Sequence, residues 1–355
     1  MKPFFSIIVP CCDVEPYLRE CLDSVVKQPF SDWECLLGVE TSKDNTEKIA
    51  CEYAARDSRF RVFTGPRSGS CSVSRNLGID MATGEYIIFL DGDDAITDGS
   101  LQRIHDKIAA RPGADLYPCA IQAHNDMTGK DEELRDNYPP DFDKELTGHG
   151  ATLAISARLR HPEPMMQLTV CRRDFIVTHN LKCIPGISGQ DREFSPRALY
   201  LARRVVPLHE KFYIYRKRSD SVMRAIDVRR KLHDEALIHK SLFSFHAQLC
   251  RSQSFDKRIA TCWCRSWISW VFYTWFSPRR IASTPRAIRC ETMGILFSDG
   301  FGDFNLLLKH ASMSMRIAGW WFRTFAKTPC LRSAAEIFFK IYFSMSKNRA
   351  AKKCL

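Results

Sequence analysis

The chain has 355 residues, of which 45% are hydrophobic and 26% are charged. This length and composition are typical of a soluble globular protein with one large domain and a smaller one or an appendage. The net charge of +11 is unevenly placed, since residues 225–355 contain 22 basic and 8 acidic side chains whereas the first 224 residues contain 30 and 33. The basic rear predicts an anionic partner, either nucleic acid or an acidic membrane surface.

The fifteen cysteines are scattered along the chain, which favours free thiols in a reducing compartment over a disulfide framework. Cys262-x-Cys264 does not have the spacing of a zinc site. The apolar run Phe4–Val9 is too short for a signal peptide, and the run Trp267–Phe276 is about half of what a membrane span needs. We therefore expect a cytoplasmic protein, with peripheral contact on the inner face of the cell membrane as a further option.

Strand-like and helix-like segments alternate over the first hundred residues. The predicted strands are Phe5–Val9, Cys35–Val39, Phe60–Phe63 and Tyr86–Leu90. The predicted helices are Pro16–Lys27, the segment from Asp44 to about Arg56, and Ser72–Met81. Strands separated by helices of about ten residues predict a parallel sheet with helices on both faces.

The pattern changes further along the chain. A helix is predicted over about Ser100–Arg111, a strand over Leu116–Ala123, and an exposed polar loop over Asn125–Lys144. From about residue 225 the apolar residues have helical spacing and strand signals are few. We therefore predict a boundary near residues 222–230 between an α/β domain, 1–224, and a mainly helical, basic, aromatic-rich region, 225–355.

The acidic cluster Asp91-Gly92-Asp93-Asp94 follows the predicted strand Tyr86–Leu90 directly. Ligands of open parallel sheets bind at the carboxyl ends of the strands. Carboxylates this close together repel one another unless a cation neutralises them, and Mg²⁺ or Mn²⁺ commonly bridges carboxylates to phosphates. On the cluster alone, a metal site and a solvated turn that caps the next helix are equally supported. Gly92 and the apolar strand favour the site.

The residues around this cluster resemble the family 2 glycosyltransferases of the GT-A fold. The opening Ser6–Pro10 and the helix residues Glu15–Gln28 resemble the family's first strand and helix. The most specific block is Ser74–Asp94, which keeps the order Ser-Arg-Asn-x-Gly-Ile followed by Gly-Glu-Tyr-Ile-x-Phe-Leu-Asp-x-Asp-Asp. The resemblance covers roughly residues 4–222. It implies a GT-A-type, mostly parallel sheet with flanking helices, whose donor half is about 4–124 and whose acceptor and base half is about 150–222.

For the donor half, the resemblance implies that Asp91 and Asp93 are the metal and nucleotide carboxylates of an Asp-x-Asp motif. Asp94 is a further predicted metal ligand, and the predicted cofactor is Mn²⁺ or Mg²⁺, which would act as a Lewis acid on the diphosphate. Glu40 falls where the family has an acid that contacts the nucleobase, where it would accept the imide N–H of uracil. The predicted nucleotide site also includes Pro10, Arg75 and Gly92.

For the second half, the resemblance implies a general base. Gly189-Gln190-Asp191-x-x-Phe194 resembles the family's Glu-Asp-x-x-Phe segment, which gives Asp191 the role of removing the acceptor's proton in an inverting transfer. The later Tyr213–Val222 resembles the closing strand, and its Arg216 and Arg218 either face a phosphate or form a solvated basic edge. Gln190 is a further predicted residue on the acceptor or phosphate side.

The sequence departs from the family in three places. The run Val39-Glu40-Thr41-Ser42 replaces a pair of acids followed by Gly-Ser, which leaves the strictness of a uridine preference open. Cys12 and Asp13 replace an aromatic residue and an amide. Gln190 replaces a Glu, so Asp191 has one fewer like-charged neighbour.

Three basic stretches of the rear are rich in aromatic residues: 258–282, 316–327 and 338–353. One interpretation of 258–353 is docking on an anionic membrane, where aromatic residues lie at the interface and Lys or Arg meets acidic headgroups. The other is a helical domain whose aromatic residues form its own core. A nucleic-acid partner is not expected, because no recognised binding motif accompanies the charge.

The sequence therefore predicts an inverting, metal-assisted glycosyltransferase with a nucleotide-diphosphate sugar as donor, preferably a UDP-sugar. The predicted acceptor is a hydroxyl of a saccharide or lipid-linked saccharide, in surface polysaccharide or glycolipid assembly. One alternative is a catalytically impaired binding or scaffold protein that has kept the fold. A nucleotidyltransferase is less favoured, because Pro10–Asp13 occupies the place of the glycine-rich loop that it would need.

Overall fold

The structure is a computed structural model that describes residues 2–133, 144–158, 166–218, 227–251, 256 and 258–263, with a few positions between 284 and 295. The chain divides into two compact units, Met1–Ile238 and His239–Leu355. Both β-sheets lie in the first unit. The functional boundary predicted at residue 224 stays a prediction.

The larger sheet has six strands. They are β1 (Phe5–Cys11), β2 (Trp33–Glu40), β3 (Phe60–Gly65), β4 (Tyr86–Phe89), β6 (Leu116–Pro118) and β9 (Thr169–Arg172). Their order is β3-β2-β1-β4-β9-β6. The four predicted strands β1 to β4 pair in parallel, whereas β9 is antiparallel to both β4 and β6. The predicted mostly parallel sheet is confirmed, and its antiparallel side begins at β9.

Helices cover both faces of this sheet. They are α1 (Glu15–Val26), α2 (Thr46–Arg56), α3 (Ser72–Met81), α4 (Ser100–Ala110), α5 (Gly148–Arg158), α6 (Arg173–Thr178) and α7 (Asp191–Leu201), followed by α8 (Val228–Cys250). In β1, Ile7 belongs to one core cluster with Leu18 and Leu22 of α1, whereas Ile8 belongs to the other with Ile79 of α3. A strand buried on both faces needs apolar side chains at successive positions, which explains the continuous run Phe5–Val9.

The smaller sheet has the order β5-β10-β7-β8. Its strands are β5 (Ala95–Ile96), β7 (Ala120–Asn125), β8 (Lys130–Glu133) and β10 (Lys211–Lys217). The single strand predicted over 116–123 is therefore wrong: the chain changes sheets at Cys119, beside Pro118, which has no N–H to extend a ladder. The predicted loop 125–144 is wrong in part, because residues 130–133 form β8.

Two glycines of the block 74–94 allow close packing of the elements that precede the acidic cluster. A Cβ atom at Gly84 would lie 2.7 Å from the backbone nitrogen of Ser6, and one at Gly78 would overlap the side chain of Ile8. Both glycines therefore let their segments lie directly against β1. The sequence block fixes the position of β4, and hence of the loop that follows it, relative to β1.

Candidate active site

The loop after β4 contains Asp91, whose carboxylate is held by two side chains from other elements. Arg75 of α3 forms an ion pair with its Oδ1, and Gln167 donates to its Oδ2 through Nε2 at 2.9 Å. The Arg75 side chain is 1% exposed, whereas that of Asp91 is 25% exposed. Asp91 therefore lies at the border between a buried cation and solvent.

The acidic neighbours of Arg75 favour the positively charged form of its guanidinium. Burial acts to lower the pKa of Arg75, but the negative charges of Asp91 and, among others, Asp191 raise it above its usual value. A buried guanidinium in an ion pair fixes the carboxylate that it contacts. The structure therefore places Arg75 behind Asp91, and a direct contact of Arg75 with a phosphate, as predicted, would require it to leave this buried pair.

Asp93 lies two residues further on, and its Oδ2 is 2.8 Å from Nη2 of Arg218. Burial raises the pKa of the Asp93 carboxyl, the negative charge of Asp91 raises it further, and Arg218 offsets only part of the shift. Burial and the neighbouring carboxylate therefore both disfavour the charged form of Asp93. A cation at Asp91 and Asp93 would offset both effects.

Asp94 has a different environment. Its side chain accepts a hydrogen bond from Oη of Tyr213 at 2.6 Å and another from the backbone N–H of Arg216 at 2.8 Å, and the residue is 4% exposed. Both carboxylate oxygens thus bind β10. Asp94 therefore braces the acidic loop against the smaller sheet, and its predicted role as a metal ligand stays a prediction.

The residues fit a divalent cation that a substrate helps to bind. Among the described residues, no group of three or more His, Cys, Asp or Glu side chains is arranged to hold a metal ion. Mg²⁺ sites for phosphate substrates commonly use one or two carboxylates, with phosphate oxygens and water completing the coordination. Asp91 and Asp93 supply two such carboxylates, so the donor set agrees with Mn²⁺ or Mg²⁺ held together with a diphosphate.

Glu40, at the end of β2, accepts three hydrogen bonds. Ser68 donates through its backbone N–H at 2.8 Å and its hydroxyl at 2.7 Å, and the hydroxyl of Ser74 donates at 3.2 Å. The residue is 5% exposed. The structure thus uses Glu40 to order the loop after β3, and its predicted contact with a nucleobase stays a prediction.

Gly92 and Pro10 meet at the end of β1. A Cβ atom at Gly92 would lie 3.0 Å from the carbonyl oxygen of Pro10 and 3.2 Å from the side chain of Val14. Gly92 therefore allows the acidic loop to pack on the end of β1. Pro10 contributes backbone to this edge of the sheet, and nucleotide contact by either residue stays a prediction.

Asp13, one of the two residues at the second departure, forms an ion pair. Asp13 has a positive φ of 52° and lies 2.6 Å from Nη1 of Arg67, in the loop after β3. The N–H of Lys43, in the loop after β2, donates to the same carboxylate at 2.7 Å. That hydrogen bond is the main cause of the lowered pKa of Asp13, to which Arg67 adds. Asp13 thus joins the three loops that follow β1, β2 and β3.

Asp191 is the first residue of α7, and the turn before it contains Gly189 with a φ of 71°. The amide of Gln190, which is 5% exposed, donates to the sulfur of Cys71 at the start of α3. The charge of Asp191 acts on Arg75 from α7 while Asp91 acts on it from the loop after β4. The proposed base and the proposed donor carboxylate therefore lie near the same guanidinium.

Arg216 and Arg218 end β10. Arg216 lies 2.6 Å from Glu20 of α1 and 2.7 Å from Asp126, and its Nε donates to the carbonyl oxygen of Asp93 at 3.2 Å. Arg216 therefore ties the acidic loop to α1 and to the turn after β7, and the two predicted alternatives, a phosphate contact or a solvated basic edge, stay open. Arg218 faces the site as an ion-pair partner of Asp93.

Three site residues were not predicted: Gln167, Arg67 and, as a partner of Asp94, Tyr213. Tyr213 stands in the segment that resembles the family's closing strand, so a signal for it was present. Gln167 and Arg67 stand outside the quoted motifs, and no sequence pattern points to them.

The predicted membrane contact over 258–353 falls almost wholly outside the described residues. Within the described part of the chain, no helix is both long and apolar enough to cross a membrane. The cysteines in that part, such as buried Cys21 and exposed Cys51, are free thiols.

Comparisons with known proteins point to glycosyltransferases. The family model described as Glycosyl transferase family 2 matches residues 6–162. EpsJ of Bacillus subtilis, an uncharacterized glycosyltransferase, is 33% identical over 228 residues, 62% of this chain and 63% of that protein. The chain thus spans less than two thirds of EpsJ. The glycosyltransferase GlyG of Streptococcus pneumoniae is 25% identical over 232 residues, 63% of this chain and 74% of that protein.

Among solved structures, residues 1–349 of S. aureus TarS, in complex with UDP-GlcNAc, match with a TM-score of 0.66 and 19% identity over 90% of this chain and 87% of that one. At this identity the likeness shows the fold, and it confirms the predicted GT-A type. The family match covers residues 6–162, the part of the chain that contains the acidic loop after β4, and this part is similar to glycosyl transferase family 2.

Proposed function

We propose that the chain transfers a sugar from a UDP-sugar to an acceptor hydroxyl with inversion, assisted by Mn²⁺ or Mg²⁺. The observation that carries the proposal is the grouping of Asp91 and Asp191 near the buried Arg75, with Asp93 beside Asp91. This arrangement combines oxygen ligands for a diphosphate-bound cation with a separate carboxylate that can accept a proton.

On the donor side, Asp91 and Asp93 would hold the cation, which when bound supplies Lewis-acid stabilisation of the diphosphate leaving group. Arg75 and Gln167 fix Asp91, so this carboxylate is already oriented before the donor binds. UDP is the favoured nucleotide because TarS, which shares the fold, was solved with UDP-GlcNAc. Glu40 remains the proposed nucleobase contact.

On the acceptor side, Asp191 would remove the proton of the acceptor hydroxyl as its oxygen attacks the anomeric carbon. The attack comes from the face opposite the leaving group, which inverts the configuration at that carbon. Asp191 is the first residue of α7 and follows the turn at Gly189. Gln190 lies beside it.

The acceptor and the cellular setting stay predictions. We propose a saccharide or lipid-linked saccharide acceptor in surface polysaccharide or glycolipid assembly, on the cytoplasmic side of the membrane. The basic region 258–353 would bring the protein to an anionic surface.

Calorimetric titration of UDP-GlcNAc and other UDP- and GDP-sugars, with and without Mn²⁺, tests the proposal. We expect metal-dependent binding of at least one UDP-sugar. Asp93→Asn should weaken it by at least about tenfold, since residues that merely support a metal ligand already cost about 10- to 100-fold when they are mutated.

Asp98→Asn is the matched control, because Asp98 is an exposed acid that follows the same loop. It should bind like the wild type. If none of the nucleotides or sugar conjugates binds, the interpretation as a scaffold protein is favoured over the interpretation as an enzyme. If Asp93→Asn binds as tightly as the wild type, the acidic cluster is a turn and Asp93 has no metal role.

A further inference from the structure

The first turns of α8 contact the loops that carry both halves of the proposed site. Nη2 of Arg230 donates to the carbonyl oxygen of Gly69 at 2.6 Å and lies 3.4 Å from that of Gly186. Gly69 belongs to the loop between β3 and α3, and Gly186 to the loop before α7. Both glycines have positive φ values, 77° and 78°, a conformation that other residues rarely adopt. Arg230 therefore joins two loops of unusual backbone shape.

The first of these loops belongs to the donor side. Its Ser68 is hydrogen bonded to Glu40 at the end of β2, and its Cys71 is the N-cap of α3, the helix that contains Arg75. A displacement of this loop would therefore move the start of α3 and the guanidinium that fixes Asp91.

The second loop leads into the proposed base. The backbone N–H of Ser188 donates to Oδ2 of Asp234 at 2.9 Å, and Asp234 is 4% exposed. On the other side of Asp191, Arg192 of α7 lies 3.5 Å from Glu235, the residue after Asp234 in α8. Residues of α8 thus contact the chain on both sides of the turn at Gly189, at Ser188 before it and at Arg192 after it.

The two sides also contact each other directly. The N–H of Gly186 donates to the hydroxyl of Ser72, the first residue of α3, at 2.9 Å, and the amide of Gln190 donates to the sulfur of Cys71. The two hydrogen bonds from Arg230 add to these contacts. The carbonyl groups that Arg230 contacts lie on opposite sides of the proposed site, one before α3 and one before α7. A side chain that bridges them sets the spacing between these helices at their N-terminal ends.

We infer that Arg230 and Asp234 are positioning residues, which hold the base loop at a fixed distance from the donor loop. The inference rests on the proposed function, since it gives that spacing a catalytic purpose. Neither side chain touches a reacting atom. Their effect is on the geometry of attack, where a misplacement of about 1 Å can cost about 100-fold in rate.

Kinetics of Arg230→Ala provide the first test. The reaction is release of UDP from UDP-GlcNAc, or from the sugar nucleotide that binds best, with water as the acceptor. We expect kcat to fall by about 10- to 100-fold and the donor Kd to change by less than about threefold, because Glu40 still holds the donor loop. Arg230→Lys should recover part of kcat, since an amine can still donate to one of the two carbonyls. Lys231→Ala removes a positive charge from the next helix position and should match the wild type.

Amide hydrogen exchange provides a test that needs no substrate. In Arg230→Ala and Asp234→Ala, exchange should become faster in residues 66–71 and 184–190 and stay unchanged in β1 to β4. Faster exchange throughout the chain would mean that the two residues merely stabilise the fold, which overturns the inference. Unchanged exchange in both loops also overturns it.

The two proposals fail in different ways. A wild type that binds and turns over no sugar nucleotide refutes the proposed function, while hydrogen exchange still decides whether α8 holds the loops. An active wild type with an equally active Arg230→Ala leaves the proposed function intact and refutes the positioning role.

Discussion

The two halves of the proposed site are built in different ways. On the donor side, Asp91, Asp93 and Asp94 follow one strand within four residues, and each has its own partner among Arg75, Arg218 and β10. On the base side, Asp191 is the first residue of a helix, and the loop before it is fixed by hydrogen bonds to residues far away in the chain, such as Asp234.

This difference predicts how the halves respond to change. The donor carboxylates lie at the end of a parallel sheet buried on both faces, so a substitution on α7 or α8 should leave them in place. The base side depends on a few polar contacts between loops and helices. Chemistry should therefore be separable from donor binding by single substitutions.

Asp191→Asn should produce the largest effect and separates the halves most clearly. An amide cannot accept the acceptor's proton, so transfer should fall by about 10³-fold or more, within the range that general-base catalysis contributes together with orientation. Because a base acts mainly in the transition state, the Kd for the metal and donor should change by less than about threefold. Single-turnover transfer and calorimetry measure the two quantities.

Asp174→Asn is the control for Asp191→Asn, because Asp174 is also in the first turn of a helix and its side chain is 65% exposed. It should transfer sugar like the wild type. Full activity of Asp191→Asn would mean that another residue is the base. It would also contradict the proposed division of the site into a donor half and a base half.

Arg75→Met tests the point where the halves meet. Arg75 is 1% exposed, so its removal leaves Asp91 without its buried cation, and the free energy of unfolding should fall by about 3 kcal/mol. This loss is at the lower end of the range that is usual when one partner of a buried ion pair is removed, because the 25% exposure of Asp91 lets water screen the remaining charge. Urea denaturation without metal measures the change.

The double variant Arg75→Met, Asp91→Leu removes both charges and should recover much of the lost stability, since an apolar pair can replace a buried ion pair. A single variant within about 1 kcal/mol of the wild type would show that the pair is solvated, and that Arg75 does not hold the two halves in place.

The sequence predicted the donor half well because its information is local. The strand before Asp91 is an apolar run, and Gly78 and Gly84 are required by close packing on β1, so the motif and the structure depend on the same short segment. The first four helices were likewise predicted from local signals, apolar spacing in the first and cap or terminating residues in the others, and the structure confirms them.

The rest of the site depends on contacts between distant segments. The sequence did not predict that Asp94 accepts hydrogen bonds from Tyr213 and Arg216, more than a hundred residues away, and its metal role stays a prediction. No local pattern distinguishes a carboxylate that braces a strand from one that binds a cation. The strand predicted over 116–123 failed for a related reason, since its two parts are equally apolar and only their partners reveal that they belong to different sheets.

The pH dependence of metal and donor binding is the smallest expected effect, and it tests the role of Asp93 in the donor half. Burial raises the pKa of Asp93, and the charge of Asp91 raises it further. A proton and a cation compete for the same carboxylate, so the affinity for Mn²⁺ and UDP should fall as the pH falls through that raised pKa. The loss should reach about tenfold for each pH unit below it and should begin at a higher pH than for an ordinary aspartate, near 3.9.

Arg218→Gln sharpens this expectation, because Arg218 lowers the pKa of Asp93 and its charge also competes with a cation for the carboxylate. Without that guanidinium the pKa should rise, so the loss of affinity should begin at a still higher pH, while binding at pH 8 should be as tight as in the wild type or tighter. Calorimetric Kd values for Mn²⁺ and UDP between pH 5 and pH 8 measure both effects. Weaker binding of the variant across the whole range would instead make Arg218 a contact of the diphosphate, which was the alternative that the sequence left open.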